Sequence, residues 1–272
     1  MTKVVFYVRI SIGLRDDMIY GGIMTFSSMT MLGYVLRTIF CITFPFVMVF
    51  TVKRKFDGRI YPFIIGMTAV NLLVLPRMLL RSFFVPVTGE FGTRLFISVL
   101  IGALCEETAR FLMMKYMMKN NDTIMDAVCY GIGHHAMELI PSVYYPVNAI
   151  SAGIKLSSVG IDGMTAGMTA EESAQLVTEL ENYMSESFFE SIGAIIGCIP
   201  GAAMQISWSV LVFTAVYREN YRKFFFIAIA LHMIANIFLT GIITSFIGAA
   251  VMCYIAYRAA KSSRLPISHL YY

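Results

Sequence analysis

Long apolar stretches recur along the 272 residues of this chain, and they restrict its fold more than any other feature of the sequence. Hydrophobic residues make up 58% of the chain and charged residues 14%, against roughly a quarter charged in a typical soluble domain. A helix of about 20 apolar residues crosses a bilayer core of about 30 Å. Because backbone polar groups must be paired inside lipid, the sequence predicts an all-α, polytopic integral membrane bundle.

The apolar stretches divide into about seven predicted transmembrane helices, or eight if residues 18–36 form a separate span. The seven segments are residues 34–52, 61–80, 94–117, 124–149, 189–215, 223–240 and 242–259. Lysine and arginine concentrate in alternate loops and in the C-terminal tail, and such residues mark the cytoplasmic side. The pattern predicts a multi-pass protein of the cell membrane with a cytoplasmic C-terminus. With seven spans, the N-terminus would lie outside.

The longest predicted loop, residues 150–188, is acidic and is expected on the extracytoplasmic side of a single membrane domain, residues 1–272. Within this loop, Thr169 and Glu172 have the spacing of a capping box, which marks the start of a helix. Apolar residues then recur at helical spacing, at Leu176, Val177, Leu180 and Met184. The loop is therefore expected to contain a short amphipathic helix, which is either a plain surface helix or a lid.

Charge and cysteine usage exclude two other classes of protein. The formal net charge is +4, but the chain has no basic stripe with interleaved aromatic residues, so no nucleic-acid partner is expected. The five cysteines all lie in apolar stretches and have no close C-x-x-C spacing. This arrangement favours buried free thiols over a disulfide framework or a zinc ribbon.

Three of the predicted helices carry polar side chains deep within their apolar sequence. The third span contains CEETAR, the fourth contains GHHAMEL and the sixth contains HMIAN. The polar residues of these motifs are Glu106, Glu107, Arg110, His134, His135, Glu138, His232 and Asn236. An ionised group at the centre of a bilayer costs at least about 2.5–3.5 kcal/mol, so such residues are expected to have a function.

The spacing within these motifs predicts that their polar groups meet. In each helix two residues stand four positions apart and share one helix face. These pairs are Glu106 with Arg110, His134 with Glu138, and His232 with Asn236. At a rise of 1.5 Å per residue, Glu106, His134 and His232 lie about 14–16 Å from the cytoplasmic ends of their spans. The three helices are therefore predicted to bring polar groups together at one depth in the membrane.

This set of side chains is typical of metal-assisted hydrolysis. His134 and Glu138 can reach one metal ion, and His232 can add a third ligand that leaves an open position for water. A further carboxylate, from Glu106 or Glu107, can take a proton from that water. The residues therefore predict a hydrolytic site inside the membrane.

Two more residues have predicted supporting roles, and each role has an alternative. Arg110 would hold a carboxylate ionised, although its pairing with Glu106 could equally be a structural ion pair. Asn236 could donate a hydrogen bond to a developing oxyanion. Glu107 points about 100° away from Glu106 around the helix, so only one of the two is expected to carry the chemistry.

Two further polar residues of the predicted spans have no chemical role in this scheme. His135 points away from His134, and a packing or hydrogen-bonding role is favoured for it. Arg77 lies within the second span, where it either extends toward the membrane surface or pairs with a carboxylate of the site.

The three motifs resemble those of the YhfC family of bacterial intramembrane metalloproteases, a family similar to the PrsW and type II CAAX prenyl endopeptidase (CPBP) proteins. The resemblance rests on EETAR, on GIGHHAMEL against a Gly-x-Gly-His-x-x-x-Glu pattern, and on LHMIAN, and it covers most of residues 60–260. It implies that His134, Glu138 and His232 hold a divalent metal such as zinc, or an activated water. Glu106 or Glu107 would be the general base, which Asn236 would assist.

One position departs from the family pattern. The segment MQISWSVLVFTAVYR resembles a family segment that often carries a histidine where this chain has Gln205. An amide is a weak metal ligand, so the departure implies either weaker metal binding or a degenerate family member. His135 stands where the family tends to have a small residue, and it could compensate.

Two functions from different classes follow from the sequence. The leading hypothesis is an intramembrane metalloprotease that hydrolyses peptide bonds of membrane-embedded or lipidated peptides, with the lipid bilayer as its surroundings. The alternative is a non-catalytic membrane protein: a transporter, a sensor that uses the acid and histidine cluster as a proton relay, or a degenerate protease homologue.

Overall fold

Helices make up the regular structure of this chain. The structure, a computed structural model, describes residues 24–85 and 90–268, and no residue in these two ranges forms a strand. The helices are α1 (Ser28–Phe56), α2 (Ile60–Leu72), α3 (Val74–Phe84), α4 (Phe91–Met117), α5 (Ile124–Glu138), α6 (Ile140–Thr165), α7 (Ala170–Ser185), α8 (Phe188–Tyr217), α9 (Lys223–Phe238) and α10 (Ile242–Ser263). A short 3-10 helix, Glu219–Tyr221, precedes α9. The predicted all-α class is confirmed.

Five helical segments of the described chain are long and apolar enough to cross a membrane. They are Ser28–Phe56, Ile60–Phe84, Phe188–Tyr217, Glu219–Phe238 and Ile242–Ser263. The third predicted span coincides with α4, whose 27 residues include charged side chains, and the fourth coincides with α5 and the start of α6. The total of seven spans and the sidedness of the termini stay predictions. Residues 28–36 belong to the same helix as the first predicted span, while residues 18–23 lie outside the described range.

The predicted 150–188 loop contains more helix than its polarity suggests. Helix α6 continues to Thr165, with a break at Gly160, where a φ of 67° is a conformation that glycine adopts easily. Helix α7 then begins after Thr169, whose hydroxyl accepts a hydrogen bond from the Glu172 amide at 3.2 Å. The Glu172 carboxylate accepts from the Thr169 amide at 2.8 Å, so the capping box read from the sequence is formed.

The described chain divides into two compact units, and α1 and α8 contribute residues to both. The second unit comprises the described part of Val8–Thr43 together with Leu139–Ile196. In this unit the Tyr34 hydroxyl donates to the Tyr183 carbonyl at 2.6 Å, and Arg37 forms an ion pair with Glu186 at 3.1 Å. These bonds join α1 to α7 and to Glu186, the residue that follows α7, within the unit.

The first unit comprises the described parts of Phe44–Glu138 and Gly197–Tyr272. It holds all the ionisable residues of CEETAR, GHHAMEL and HMIAN. Its largest apolar cluster includes Met114, Tyr130, Trp208, Leu211 and Phe213, all buried. Helix α5 lies at the centre of this unit, since consecutive residues from Cys129 to His135 are buried around its whole circumference.

Glycines let α5 approach its neighbours at backbone distance. A Cβ atom on Gly133 would lie 1.9 Å from the Phe63 carbonyl oxygen, and one on Gly66 would lie 2.2 Å from the Tyr130 carbonyl oxygen. A Cβ atom on Gly131 would meet the backbone of Ile206 on α8 at 2.6 Å. Small residues at such contacts are the usual route to tight helix packing in membranes. Here they fix the backbone from which His134 projects.

The start of α5 is anchored by charge and by the C-terminal segment. The Arg59 guanidinium donates to both carboxylate oxygens of the fully buried Asp126, with Nε at 2.9 Å from Oδ1. The free amides of Ile124 and Met125 donate to the carbonyls of Pro266 and Ile267. These bonds satisfy donors that the first turn of any helix leaves unpaired.

Candidate metal centre

Helix α4 presents its charged motif on its buried face. The buried positions of this helix include Val99, Ala103, Glu106, Arg110 and Met114, which follow the three- and four-residue spacing of one helical stripe. Such a stripe is more than about 100° wide, so Glu107, one residue after Glu106, is buried on the same side. The angle of about 100° between the two glutamates therefore leaves both of them on the buried side of α4.

The Glu106 carboxylate is the meeting point of four helices in the first unit. Its Oε1 accepts a hydrogen bond from Arg77 on α3 at 2.7 Å. Its Oε2 lies 3.5 Å from Nε2 of His232 on α9 and 3.8 Å from Nε2 of His134 on α5. The prediction that the motifs of three separate helices come together is confirmed for these three residues.

Three side chains around the Glu106 carboxylate form a group that can hold a metal ion. Ligand atoms of Glu106, His134 and Glu138 all lie within 4.8 Å of one another, and all three side chains belong to the first unit. His232 lies outside this group but borders it through Glu106. Of the predicted ligand set of His134, Glu138 and His232, the structure therefore brings two together with Glu106.

Unsatisfied buried atoms at this centre fit a bound cation. Oε2 of Glu106 and both ring nitrogens of His134 are buried and have no hydrogen-bond partner among the described residues. A buried polar group without a partner costs about 1–3 kcal/mol, so three at one place are expensive. Two ligand atoms of one zinc ion lie about 3.4 Å apart, which is close to the 3.8 Å between Oε2 of Glu106 and Nε2 of His134. The residues present therefore fit a divalent metal.

Arg110 neutralises Glu107, not Glu106. Its NH1 group donates to both carboxylate oxygens of Glu107 at 2.8 Å, and both side chains are fully buried. The pairing of Arg110 with Glu106 expected from the four-residue spacing is thus wrong. On a helix, the residues three and four positions away are both neighbours, and here the nearer one is used.

His232 is held on two sides. Its Nδ1 lies 2.8 Å from Oε1 of Glu107, which as a carboxylate can only accept, so Nδ1 carries the proton. The ring stacks on Trp208 with centroids 4.2 Å apart and planes 8° apart. These contacts leave Nε2 facing Oε2 of Glu106 at 3.5 Å.

Gln205 links two of the charged groups across α4, α5 and α8. Its Oε1 accepts from NH2 of Arg110 at 2.5 Å, and its Nε2 donates to Oε2 of Glu138 at 2.7 Å. The side chain is almost completely buried. The sequence marked this position only as a departure from a family pattern and gave no role for it.

The remaining candidates fall into different places. Asn236 is exposed and makes no hydrogen bond with the site residues described, so its predicted oxyanion role is not supported by its position. The buried face of α9 continues from His232 to Ala235, three residues on, and this leaves Asn236 off that face. Arg77, whose role the sequence left open, pairs with Glu106.

His135 is buried beside the centre and packs against α8. Its Nδ1 lies 3.9 Å from Oε2 of Glu138, and neither ring nitrogen has a hydrogen-bond partner within the described ranges. A Cβ atom on Gly201 would meet its Cε1 at 3.0 Å. This position agrees with the packing role favoured for His135 from the sequence. Its two ring nitrogens, which lack hydrogen-bond partners among the described residues, can still accept or donate a bond to a bound molecule.

Sequence reasoning gave no role to two aromatic residues at this centre. Trp208 supports the ring of His232, and Tyr130 stacks on His134 with ring centroids 6.2 Å apart. Tyr130 stands four residues before His134 on α5, so helical spacing could have indicated it. No comparable signal in the sequence connects Trp208 on α8 with His232 on α9.

The fold and the centre together define a class: an α-helical membrane protein with a buried carboxylate and histidine centre assembled from several helices. A family model described as YhfC intramembrane metalloprotease matches residues 93–255, which is more than half of the chain. The chain belongs to the YhfC intramembrane metalloprotease family. Comparisons with curated proteins and with solved structures give no match.

The matched region contains every member of the centre except Arg77. The family description implies a divalent metal, and the group of Glu106, His134 and Glu138 lies within the matched residues. Gln205 and His232 lie within them as well.

Proposed function

We propose that this protein hydrolyses peptide bonds of membrane-embedded or lipidated peptides at the centre around Glu106. One observation carries the proposal. Buried atoms of Glu106 and His134 that could bind a metal lie next to Glu138 and have no hydrogen-bond partner among the described residues. A membrane-buried site of this kind is costly, and the cost is offset when a cation occupies it. Membership of the metalloprotease family supports the same reaction class.

A divalent metal, with zinc as the first candidate, would be held by Glu106, His134 and Glu138. When bound, it would supply Lewis acidity to a peptide carbonyl and to water. Arg77 holds Glu106 through Oε1, so Oε2 is oriented toward the histidines. The donor set of one nitrogen and two oxygens is within the range that zinc accepts.

His232 is the proposed general base. Its Nδ1 proton is donated to Glu107, and in the neutral imidazole Nε2 can take a proton from the attacking water. Glu107, neutralised by Arg110, stabilises the imidazolium that forms, as an orienting carboxylate does in other histidine-based hydrolases. The proton held at Nε2 can then pass to the amine that leaves. This arrangement gives Glu106 and His232 the opposite roles to those implied by the family resemblance.

The substrate must enter from lipid and lose its local helix. Carbonyls within a helix are hydrogen-bonded and shielded, so the peptide has to be unwound before its carbonyl can be attacked. The basic C-terminal tail supports a cytoplasmic C-terminus in the cell membrane, with Arg258, Lys261 and Arg264 near the end of α10.

The test is peptide cleavage by protein reconstituted in lipid vesicles, read by mass spectrometry on a set of transmembrane and lipidated peptides. Cleavage by the wild type should disappear in His232→Gln and Glu106→Gln and on chelation. Glu219→Gln, which changes an exposed glutamate, is the matched control and should cleave normally. Cleavage that persists in both site variants would contradict the proposal.

The same preparation separates the protease from the proton-relay alternative. A transporter or sensor would show no cleavage products, but its response to a pH gradient would be lost in His232→Gln. A protease would produce cleavage products, and His232→Gln would abolish them without changing any response to a pH gradient.

A further inference from the structure

We infer that Gln205 is a positioning residue that holds the Glu138 carboxylate in its ligand orientation and couples it to the pair formed by Glu107 and His232. The inference rests on the proposed metal centre. It adds Gln205, which belongs neither to the ligand set predicted from the sequence nor to the group of Glu106, His134 and Glu138. Gln205 is buried, with 3% of its surface exposed, and it touches charged groups from two other helices.

Only one orientation of the Gln205 amide satisfies both neighbours. Arg110 has donors and no acceptor, so it requires the carbonyl oxygen of the amide, Oε1, at 2.5 Å. Glu138, as a carboxylate, has acceptors only, so it requires the amide nitrogen, Nε2, at 2.7 Å. The planar amide of Gln205 meets both needs at once, with its oxygen toward Arg110 and its nitrogen toward Glu138.

The consequence for Glu138 is a fixed rotamer. A long carboxylate side chain loses rotamer freedom when one of its oxygens accepts a hydrogen bond. The donated bond from Gln205 occupies Oε2 and leaves the carboxylate fixed beside Glu106 and His134. Partners of this kind, which bind a ligand and not the metal, commonly change metal affinity by about 10–100-fold.

The bonds form one continuous chain through the centre. His232 bonds Glu107, Glu107 bonds Arg110, and Arg110 bonds Gln205. Gln205 in turn bonds Glu138. The proposed base and one proposed ligand are therefore positioned by the same set of hydrogen bonds, and a change in the middle should affect both ends.

The first experiment measures metal affinity of purified, chelator-stripped protein by titration with Zn²⁺. Gln205→Glu keeps the side-chain shape and an acceptor for Arg110, but it places a carboxylate oxygen against Glu138, so this variant should fold and bind Zn²⁺ about 10–100-fold more weakly. Ser207→Ala is the control, because Ser207 is buried on the same helix and, within residues 24–85 and 90–268, its hydroxyl bonds only the Ala203 carbonyl and Cys253. It should bind Zn²⁺ as the wild type does.

A second experiment does not depend on metal. Melting temperatures in chelator are compared for Gln205→Leu, Glu138→Leu and the double variant. If Gln205 holds Glu138, the loss in the double variant is smaller than the sum of the single losses. The pair Ser207→Ala and Glu138→Leu should be additive.

The outcomes separate the inference from the proposed function. Unchanged Zn²⁺ affinity in Gln205→Glu, or additive melting losses for Gln205 and Glu138, overturns the inference even if the wild type binds metal. A wild type that binds no metal overturns the proposed function, and the melting cycle then still decides whether Gln205 positions Glu138. Lower stability with unchanged affinity would assign Gln205 a purely structural role and would also overturn it.

Discussion

His232 and Glu107 form a buried hydrogen-bonded pair, with Nδ1 of the imidazole 2.8 Å from Oε1 of the carboxylate. This pair distinguishes Glu107 from its neighbour Glu106. Both carboxylate oxygens of Glu107 accept hydrogen bonds, from Arg110 and His232. Oε2 of Glu106, by contrast, has no hydrogen-bond partner among the residues the structure describes. Adjacent carboxylates in one motif therefore have different environments and are expected to have different roles.

Conservative changes at the two glutamates should give opposite phenotypes. Glu106→Gln should fold, because its main partner Arg77 is partly exposed and can bond an amide oxygen, but it should lose metal and turnover. Glu107→Gln leaves the fully buried Arg110 without its countercharge, a loss on the order of 3 kcal/mol. Thermal unfolding and the yield of monodisperse protein in detergent measure the difference. Equal stability of the two variants would refute this division.

Trp208 should report directly on the centre. It is the only tryptophan of the chain, and it stacks on His232. A cation bound next to His232 changes the charge a few ångströms from the indole, so its emission should change and saturate as Zn²⁺ is added. The titration is repeated with His134→Ala, in which no saturating change is expected. Stoichiometric metal binding without any change in emission would place the ion elsewhere.

Gly133→Ala should disrupt the centre without touching a ligand. The added methyl would lie 1.9 Å from the Phe63 carbonyl oxygen, so α2 and α5 must separate, at a cost of about 3 kcal/mol or more. Gly197→Ala on α8 is the matched control, because an added Cβ atom there meets nothing within 4 Å. Thermal unfolding of both variants should show a large loss for Gly133→Ala and none for Gly197→Ala. Comparable melting temperatures would show that α2 and α5 are less closely packed.

The capping box of α7 predicts a pH-dependent stability. Hydrogen bonds from the Thr169 amide and hydroxyl lower the pKa of Glu172 below its ordinary value of 4.5. A carboxyl whose pKa is lower in the folded state stabilises that state above its unfolded pKa, and this contribution is lost as pH falls through the folded value. Protease resistance of α7 should therefore be lower in Glu172→Gln than in the wild type near neutral pH, and the gap should close in acid.

Glu171→Gln is the control for this effect. It removes a neighbouring charge from the same first turn and leaves the bonds between Thr169 and Glu172 in place. A pH response of Glu171→Gln that matches that of Glu172→Gln would attribute the effect to general charge and not to the cap.

The sequence predicted the meeting of Glu106, His134 and His232 because ionisable residues are costly in lipid and these three lie at similar depth. Helical spacing also predicted that His134 and Glu138 act together. These arguments need only the rise and period of a helix, which are the same in every protein.

Contacts that depend on packing could not be predicted in the same way. Spacing did not decide between Glu106 and Glu107 as the partner of Arg110, since both are neighbours on α4. Arg77 reaches Glu106 from α3, which begins after a break at Leu73 whose geometry no sequence pattern gave. Gln205 was missed as a partner because an amide in an apolar helix has no spacing signal toward α4 or α5.

The most direct test of the account is the metal content of the detergent-solubilised protein, measured by mass spectrometry after loading and removal of free metal. The account predicts about one divalent ion per chain in the wild type and a loss of that ion in His134→Ala, with both proteins folded. A folded wild type that retains no metal would contradict the metal-centred mechanism.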